Sequence, residues 1–394
     1  MVLQTVFFGR FVDTPKLDEL RIRTGALLVS SQDGRGVISQ ADWTITSASE
    51  AASKFGVEEN VVISSKENGA KAVYSRVVSA TLAHGTTTAS YYATISVPAT
   101  NILSQLAFTR GQRAYIGRVC MDNPATCEAY YRDSSTEESL QHEHAHIAFC
   151  SSLDPSGELL APIITPRFAP SCLPSTLTAL GQLARDKDLR IQTHISENAD
   201  EIRLVQQLFP EQESYAEVYD THQLLTPRTI LAHAIHLQPA EIQTIKVRGS
   251  KIAHCPASNS ALILDAVRQA CLVSRHVGYI HGGGDAGRRH NLSVGDALYL
   301  ATVGGAKVVG MAGKLGLFEE GMLYDAQEID LGDDIISSSS SSEGGEQLAG
   351  DSPVDIFGWE SWENKVAKWV WNGDDRNVKR VWVGGRLVHE RAKA

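Results

Sequence analysis

The chain has 394 residues, of which 43% are hydrophobic, so it is long enough for one large barrel domain or two ordinary domains and is not expected to be disordered. The formal net charge is −10 at pH 7, and no run is rich in Lys and Arg, so neither nucleic acid nor a membrane surface is expected as a partner. The six cysteines form no CxxC pair and no regular framework, which predicts reduced thiols in a cytoplasmic protein. We also expect no secretion signal and no membrane span, because no apolar run approaches the necessary length.

Both ends of the sequence resemble β-structure. Near the start, VFFGRFVD and IRTGALLVS alternate apolar and polar residues, which is typical of strands. The final stretch, KVAKWVWNGDDRNVKRVWVGGRLVHE, shows the same alternation, with turns expected at GDD and GG. Because chain termini often lie close together, we predict that residues 1–36 and 365–394 form one small β-sandwich. Residues 37–364 then form the other domain.

The central region alternates short apolar runs with amphipathic stretches. Such runs include APIITPRF, LRIQTHISEN, RTILAHAIHL and SKIAHCPASN, and each precedes a helical pattern at roughly 30 residues per unit. This alternation predicts a parallel α/β fold, either a barrel with its site at the carboxyl ends of the strands or a doubly wound sheet. No glycine-rich phosphate loop follows a strand, which argues against nucleotide binding. The Ser-rich segment 337–346 is predicted to be a flexible surface loop.

Three histidines lie at the ends of successive predicted strands. His194 ends RIQTH, His233 ends TILAH and His254 ends SKIAH, so a barrel would point them towards one rim. Converging imidazoles suit zinc, and Glu197, three residues after His194, is placed to move protons there. The alternative is that each histidine caps its strand with a hydrogen bond. The combination with HISEN favours the metal site.

A second histidine cluster occurs in QHEHAHIAF, which contains His142, His144 and His146. It follows STEESL, which has acidic residues where the first turn of a helix is expected. On a helix only His142 and His146 share a face, so the sequence favours an exposed helix face over a catalytic zinc site.

Arg167 and Phe168 follow an apolar run in the segment TPRF. A guanidinium at this position could donate a planar pair of hydrogen bonds to a carbonyl-bearing heterocycle, while the phenyl ring stacks against it. The alternative is an ordinary salt bridge at a strand end.

Several segments together resemble the guanine deaminases of the amidohydrolase superfamily. They are, in the order and spacing of that family, LAHGTTTASYYATI, GQRAYIGRVCMD, APIITPRFAPSC, IQTHISEN, ILAHAIHL and IAHCPASNS. The later segments ATVGGAKVVGM and GDDRNVKRVWVGG extend the resemblance almost to the C-terminus. TPRF together with HISEN is more specific than a general amidohydrolase pattern.

The resemblance implies a zinc-dependent enzyme of purine catabolism. The implied fold is a (β/α)8 TIM-like barrel with a small β-sandwich, the implied assembly is a homodimer, and the implied reaction is hydrolysis of guanine to xanthine and ammonia. His194 and His233 match zinc ligands, Glu197 matches the proton shuttle, and Arg167 with Phe168 match purine-contacting positions.

Two family segments are missing from the sequence. A PGFxDTHxH segment on the first barrel strand and a GTD-like segment on the eighth strand would supply three further metal ligands. The fold expected here is therefore an incomplete barrel with open sheet edges. Asp285 in HGGGDAG follows a predicted helix and is not expected to replace the missing aspartate. The alternatives are a non-catalytic homologue that acts by dimerising and an amidohydrolase acting on a triazine or pyrimidine.

Overall fold

The structure, a computed structural model, describes residues 3–16, 19–32, 35–57, 62–64, 67–255, 262–281, 287, 289–332 and 352–392. Its strands are β1 (Leu3–Lys16), β2 (Glu19–Gln32), β3 (Arg35–Asp42), β4 (Val62–Ser64), β5 (Thr88–Tyr92), β6 (Arg113–Gly117), β7 (Val119–Cys120), β8 (Leu160–Pro166), β9 (Arg190–Ile195), β10 (Thr229–His233), β11 (Lys251–Ala253), β12 (Ala326–Ile329), β13 (Val378–Val383) and β14 (Arg386–Glu390). The Ser-rich segment and Asp285 lie outside the described residues.

The helices lie mostly between the strands of the central region. They are α1 (Ala48–Phe55), α2 (Glu67–Ala83), α3 (Val97–Arg110), α4 (Thr136–Leu153), α5 (Pro174–Asp186), α6 (Ala199–Leu208), α7 (Tyr215–Thr221), α8 (Pro239–Arg248), α9 (Ile263–Ile280), α10 (Val294–Tyr299), α11 (Gly305–Val308) and α12 (Trp362–Asn372). Across the described ranges, none is both long and apolar enough to cross a membrane.

The chain divides into two compact units, residues 1–76 and residues 77–394. The first contains a sheet in the order β3-β2-β1-β4, in which a long antiparallel hairpin of β1 and β2 pairs with β4 in parallel. Its core joins Val6, Ala26 and Leu28 of the hairpin to Ala51 and Ala52 of α1. The strands predicted near the start of the sequence are therefore confirmed.

The second unit contains a parallel sheet in the order β11-β10-β9-β8-β6-β5, with β7 beside β8. This confirms the predicted α/β fold and the four predicted strands that became β8 to β11. Within the described residues the sheet is open, with β5 and β11 as its two edges, as expected for an incomplete barrel.

Helix starts in this unit follow ordinary capping chemistry. Ser135 accepts a hydrogen bond from the backbone N–H of Glu138 at the start of α4, and Asn198 accepts one from that of Glu201 at the start of α6. Pro174 occupies the first turn of α5, where its missing N–H has no cost. These local signals fix the residues at which α4, α5 and α6 begin.

The main core lies between the parallel sheet and its helices. Ile164, Ile191 and Leu231 come from β8, β9 and β10, and they pack with Leu177 and Leu180 of α5. All five are at most 1% exposed. Each such side chain contributes about 1.5–3 kcal/mol on burial, so these three strands are held together more firmly than the sheet edges.

The C-terminal segment differs from the sequence prediction. Residues 365–372 were predicted to be strand, but they belong to helix α12, in which Val366 and Val370 lie one helical turn apart and Val370 is buried. The strands that follow form an antiparallel sheet in the order β12-β13-β14. The two chain ends therefore contribute to different sheets, and the common sandwich of residues 1–36 and 365–394 stays a prediction.

The helix predicted for QHEHAHIAF is confirmed as part of α4, but its face is not wholly exposed. His146 is buried, and its ring nitrogens lie 3.0 Å from Asn101 Oδ1 and 3.0 Å from the backbone oxygen of Ile116. Burial lowers the pKa of His146 to about 4. Here the prediction of an exposed cluster was wrong, because α4 packs this face against α3 and the sheet. Of the three, His144 is exposed and His142 is half-buried.

A buried ion pair connects β6 to the segment before β12. Arg113 and Asp325 are 4% and 8% exposed, and their side chains are hydrogen-bonded. Asp325→Asn would leave a buried guanidinium without its counter-charge, so we expect the free energy of unfolding to fall by about 3 kcal/mol in chemical denaturation. The control is Asp188→Asn, since Asp188 pairs with Arg228 at the surface, and its expected change is within about 0.5 kcal/mol. Equal losses in the two variants would contradict this assignment.

Candidate active site

The parallel register brings two of the predicted site histidines together. His194 lies opposite Ala232 and His233 lies opposite Ile195 in the pairing of β9 with β10. The imidazole centroids are 5.3 Å apart, and the ring planes are inclined by 24°. Carboxyl ends of parallel strands meet at one edge of a sheet, which explains why residues 39 positions apart in the chain share one rim.

The backbone turns sharply after both strands. Ser196, His233 and Ala234 have φ values of 51°, 71° and 54°, in the left-handed region that side-chain-bearing residues rarely occupy. The turns are tied together, because the backbone N–H groups of Ile235 and His236 both donate to the carbonyl of Ser196 over 3.1 Å. Such strained conformations persist only where the surroundings fix them, and they concentrate at functional sites.

His194 is held by a hydrogen bond to the neighbouring strand end. Its Nδ1 donates to the backbone carbonyl of Arg167 over 2.6 Å. A carbonyl can only accept, so this bond fixes the proton on Nδ1 and leaves the Nε2 lone pair available. Burial lowers the pKa of His194, which favours the neutral imidazole that a ligand or base requires.

Glu197 lies beside the histidine pair. Its Oε1 is 3.6 Å from Nε2 of His233. Its backbone N–H donates to the side chain of Glu201 over 3.1 Å, and Asn198 caps the helix that follows. The start of α6 therefore sets the position of this carboxylate, which lies within reach of a small molecule at the rim.

Arg167 and Phe168 follow β8 at the same rim. Arg167 is exposed, its guanidinium carbon lies 5.6 Å from the centroid of the Phe168 ring, and its Nη1 lies 3.8 Å from Sδ of Met121. Within the described residues no carboxylate pairs with Arg167, so the salt bridge considered from the sequence is not observed. The guanidinium and the phenyl ring are thus both available to a ligand.

Two residues at this rim were missed in the sequence. The ring of Tyr92, the last residue of β5, lies 4.4 Å from the His194 ring, with the planes inclined by 50°. Cys255 follows His254, and its thiol lies near the His233 backbone and Glu197, while burial raises its pKa. Applying the strand-end rule to β5 as well would have identified Tyr92.

His254 does not join the pair. It follows β11 directly and is exposed, and among the described residues no ring contact or hydrogen bond connects it to His194 or His233. Burial of part of its ring lowers its pKa. The structure therefore supports only two of the three strand-end histidines as neighbours.

The described residues do not fit a complete catalytic zinc site. Catalytic zinc normally has three protein ligands, whereas this rim offers the imidazoles of His194 and His233. In the described part of the chain, no three His, Cys, Asp or Glu side chains are arranged to hold a metal ion. The unprotonated Nε2 of His194 suits zinc binding, but the described residues at this rim lack a third protein ligand.

The sequence is similar to a protein-family model and to known enzymes. A family model described as the amidohydrolase family matches residues 32–388. A probable guanine deaminase of Schizosaccharomyces pombe is 42% identical, with 81% of this chain and 62% of that protein covered. The guanine deaminase of Homo sapiens is 35% identical, with 81% of this chain and 72% of that protein covered. The chain thus spans less than two thirds of its yeast relative.

One solved structure illustrates the likeness of fold. A guanine deaminase from C. acetobutylicum, with guanine bound in its active site, superposes with a TM-score of 0.69 at 24% identity. The match covers 98% of this chain and all of that chain. This chain therefore shares the fold of that protein, and within the described residues its parallel sheet is open.

The hydrogen bond to the Arg167 carbonyl predicts a single tautomer for His194. In ¹⁵N-histidine-labelled protein, long-range ¹H–¹⁵N spectra should show the proton on Nδ1 and an unprotonated Nε2 for His194, with the signal assigned by its loss in His194→Gln. His144, which is exposed, is the reference, and its spectrum should show exchange between the Nδ1–H and Nε2–H tautomers. A proton on Nε2 of His194 would contradict the geometry.

Proposed function

The chain belongs to the amidohydrolase family and, within it, to the guanine deaminases, and we propose that it hydrolyses guanine to xanthine and ammonia. The observation that carries this proposal is the position of the Glu197 carboxylate, 3.6 Å from His233 and on the rim that also holds His194 and Arg167. A carboxylate, two imidazoles and a planar guanidinium therefore lie at this one rim.

Arg167 and Phe168 are proposed to bind the purine. The guanidinium presents several N–H donors in one plane, which suits the carbonyl oxygen and ring nitrogens of guanine. The phenyl ring beside it offers an apolar face against which the purine stacks. Because Arg167 is exposed and has no carboxylate partner among the described residues, binding would not have to break an existing ion pair.

Glu197 is proposed to transfer the proton during hydrolysis. Water attacks the ring carbon that bears the exocyclic amine, and Glu197 accepts a proton from that water. The carboxyl group then delivers this proton to the amine nitrogen, and the remaining hydroxyl proton moves to the adjacent ring nitrogen, so that the C–N bond breaks, a C=O bond forms and ammonia departs. Glu197 returns to its carboxylate form.

We propose zinc as the divalent metal that the family implies. His194 and His233 would contribute its nitrogen ligands, and two ligands bind zinc more weakly than the usual three. The chain is therefore expected to retain well under one zinc per molecule after dialysis.

The cellular setting is also a proposal. All six cysteines are free, which supports a reducing, cytoplasmic environment. Purine catabolism and a homodimeric assembly rest on the resemblance to guanine deaminases. Size-exclusion chromatography with light scattering would test the dimer directly.

The shortage of metal ligands favours a second candidate, a homologue that binds purine without turnover and acts by dimerising. The two candidates differ in one observable. Both bind guanine, but only the first releases ammonia from it.

Ammonia release from guanine, measured in zinc-supplemented and chelator-treated buffer, tests the proposed activity. We expect release with zinc, and a loss of about a hundredfold or more in Glu197→Gln, because the amide cannot carry the proton. Glu211→Gln is the matched control. Glu211 is exposed and lies beyond the end of α6, so this variant should release ammonia at the wild-type rate. Guanine binding without ammonia at any zinc concentration would overturn the proposal in favour of the second candidate. Release from an aminated triazine or pyrimidine alone would indicate a different substrate.

A further inference from the structure

Tyr92 packs directly against a residue of the proposed site. It ends β5, which is an edge of the parallel sheet within the described residues, whereas His194 belongs to β9. The ring centroids are nevertheless only 4.4 Å apart, inclined by 50°. The Tyr92 ring therefore reaches past β6 and β8 to the His194 imidazole.

Three contacts restrict the His194 imidazole. Tyr92 lies at 4.4 Å and His233 at 5.3 Å between ring centroids, and the carbonyl of Arg167 accepts from Nδ1. The hydrogen bond fixes one edge of the imidazole but still permits rotation about the N–H···O direction. A ring packed against the imidazole is what prevents this rotation, because aromatic contacts of this kind are favourable only in certain relative orientations.

The hydroxyl of Tyr92 makes no contribution of its own to this contact. Its oxygen is buried and has no hydrogen-bond partner among the described residues. The preceding tyrosine differs, because the Tyr91 hydroxyl donates to Oε1 of Gln112 over 2.7 Å. Removing an unpaired buried hydroxyl costs little or is favourable, whereas removing a paired one leaves its partner unsatisfied. The functional part of Tyr92 is therefore its ring.

We propose that Tyr92 is a positioning residue that holds the His194 imidazole in its working orientation. This inference rests on the proposed function, since it concerns the same site. In this proposal the Tyr92 ring, on the edge strand β5, keeps Nε2 of His194 directed at the rim. Small displacements of reacting groups lower rates strongly, so loss of the ring should affect turnover more than substrate binding.

The adjacent tyrosines provide matched variants, because successive side chains of a strand point to opposite faces of the sheet. Tyr92→Leu should lower kcat on the order of tenfold with KM little changed, and should broaden or shift the ¹⁵N signals of His194. Tyr92→Phe should restore both, because it keeps the ring. Tyr91→Leu should lower thermal stability at least as much as Tyr92→Leu, while leaving kcat and the His194 signals unchanged.

The outcomes separate this inference from the proposed function. Wild-type kcat and unchanged His194 signals in Tyr92→Leu would overturn the positioning role while the deaminase proposal stands. Failure of Tyr92→Phe to restore either readout would assign the effect to the hydroxyl and also overturn it. If the wild-type protein releases no ammonia, the deaminase proposal fails, and the His194 spectra of the three variants alone decide the role of Tyr92.

Discussion

The parallel hydrogen bonding of β8, β9 and β10 is the constraint on which the rest of the site depends. These strands pair in a fixed register and share the most deeply buried core, which includes Ile164, Ile191 and Leu231. A slip of one residue would turn every side chain to the opposite face of the sheet. The register brings the strand ends to a common edge, and the left-handed backbone at Ser196, His233 and Ala234 completes the arrangement of the site residues.

Backbone groups, more than side-chain pairs, orient the candidate site. The Arg167 carbonyl holds His194, and the Ser196 carbonyl ties the turn after β10 to the turn after β9. Backbone donors and acceptors cannot be lost by substitution, apart from the donor at proline. The geometry therefore tolerates sequence change around it, while the exposed Arg167 side chain stays available for a ligand.

The sequence predicted those parts of the molecule that depend on local periodicity. The strands containing His194 and His233, and the helices after them, follow from apolar patterning and capping residues. Features that depend on packing were not predictable in this way. His146 was expected on an exposed face, and only the packing of α4 against α3 reveals that it is buried. The strand-end position of Tyr92 would have placed it at the rim, but its contact with His194 depends on how β5 packs and is not visible in the sequence.

The groups proposed to contact substrate and those proposed to bind a metal come from different sets of strands in this chain. The groups proposed for proton transfer and ring binding follow β8 and β9, and the core fixes both strands. Metal binding needs ligands from more strands, and at this rim the described residues provide only the imidazoles at the ends of β9 and β10. Affinity for a metal falls steeply when a ligand is missing, whereas a carboxylate or a guanidinium keeps its chemistry alone. An open parallel sheet can therefore keep the groups proposed to contact substrate in place even where the proposed metal ligands are too few.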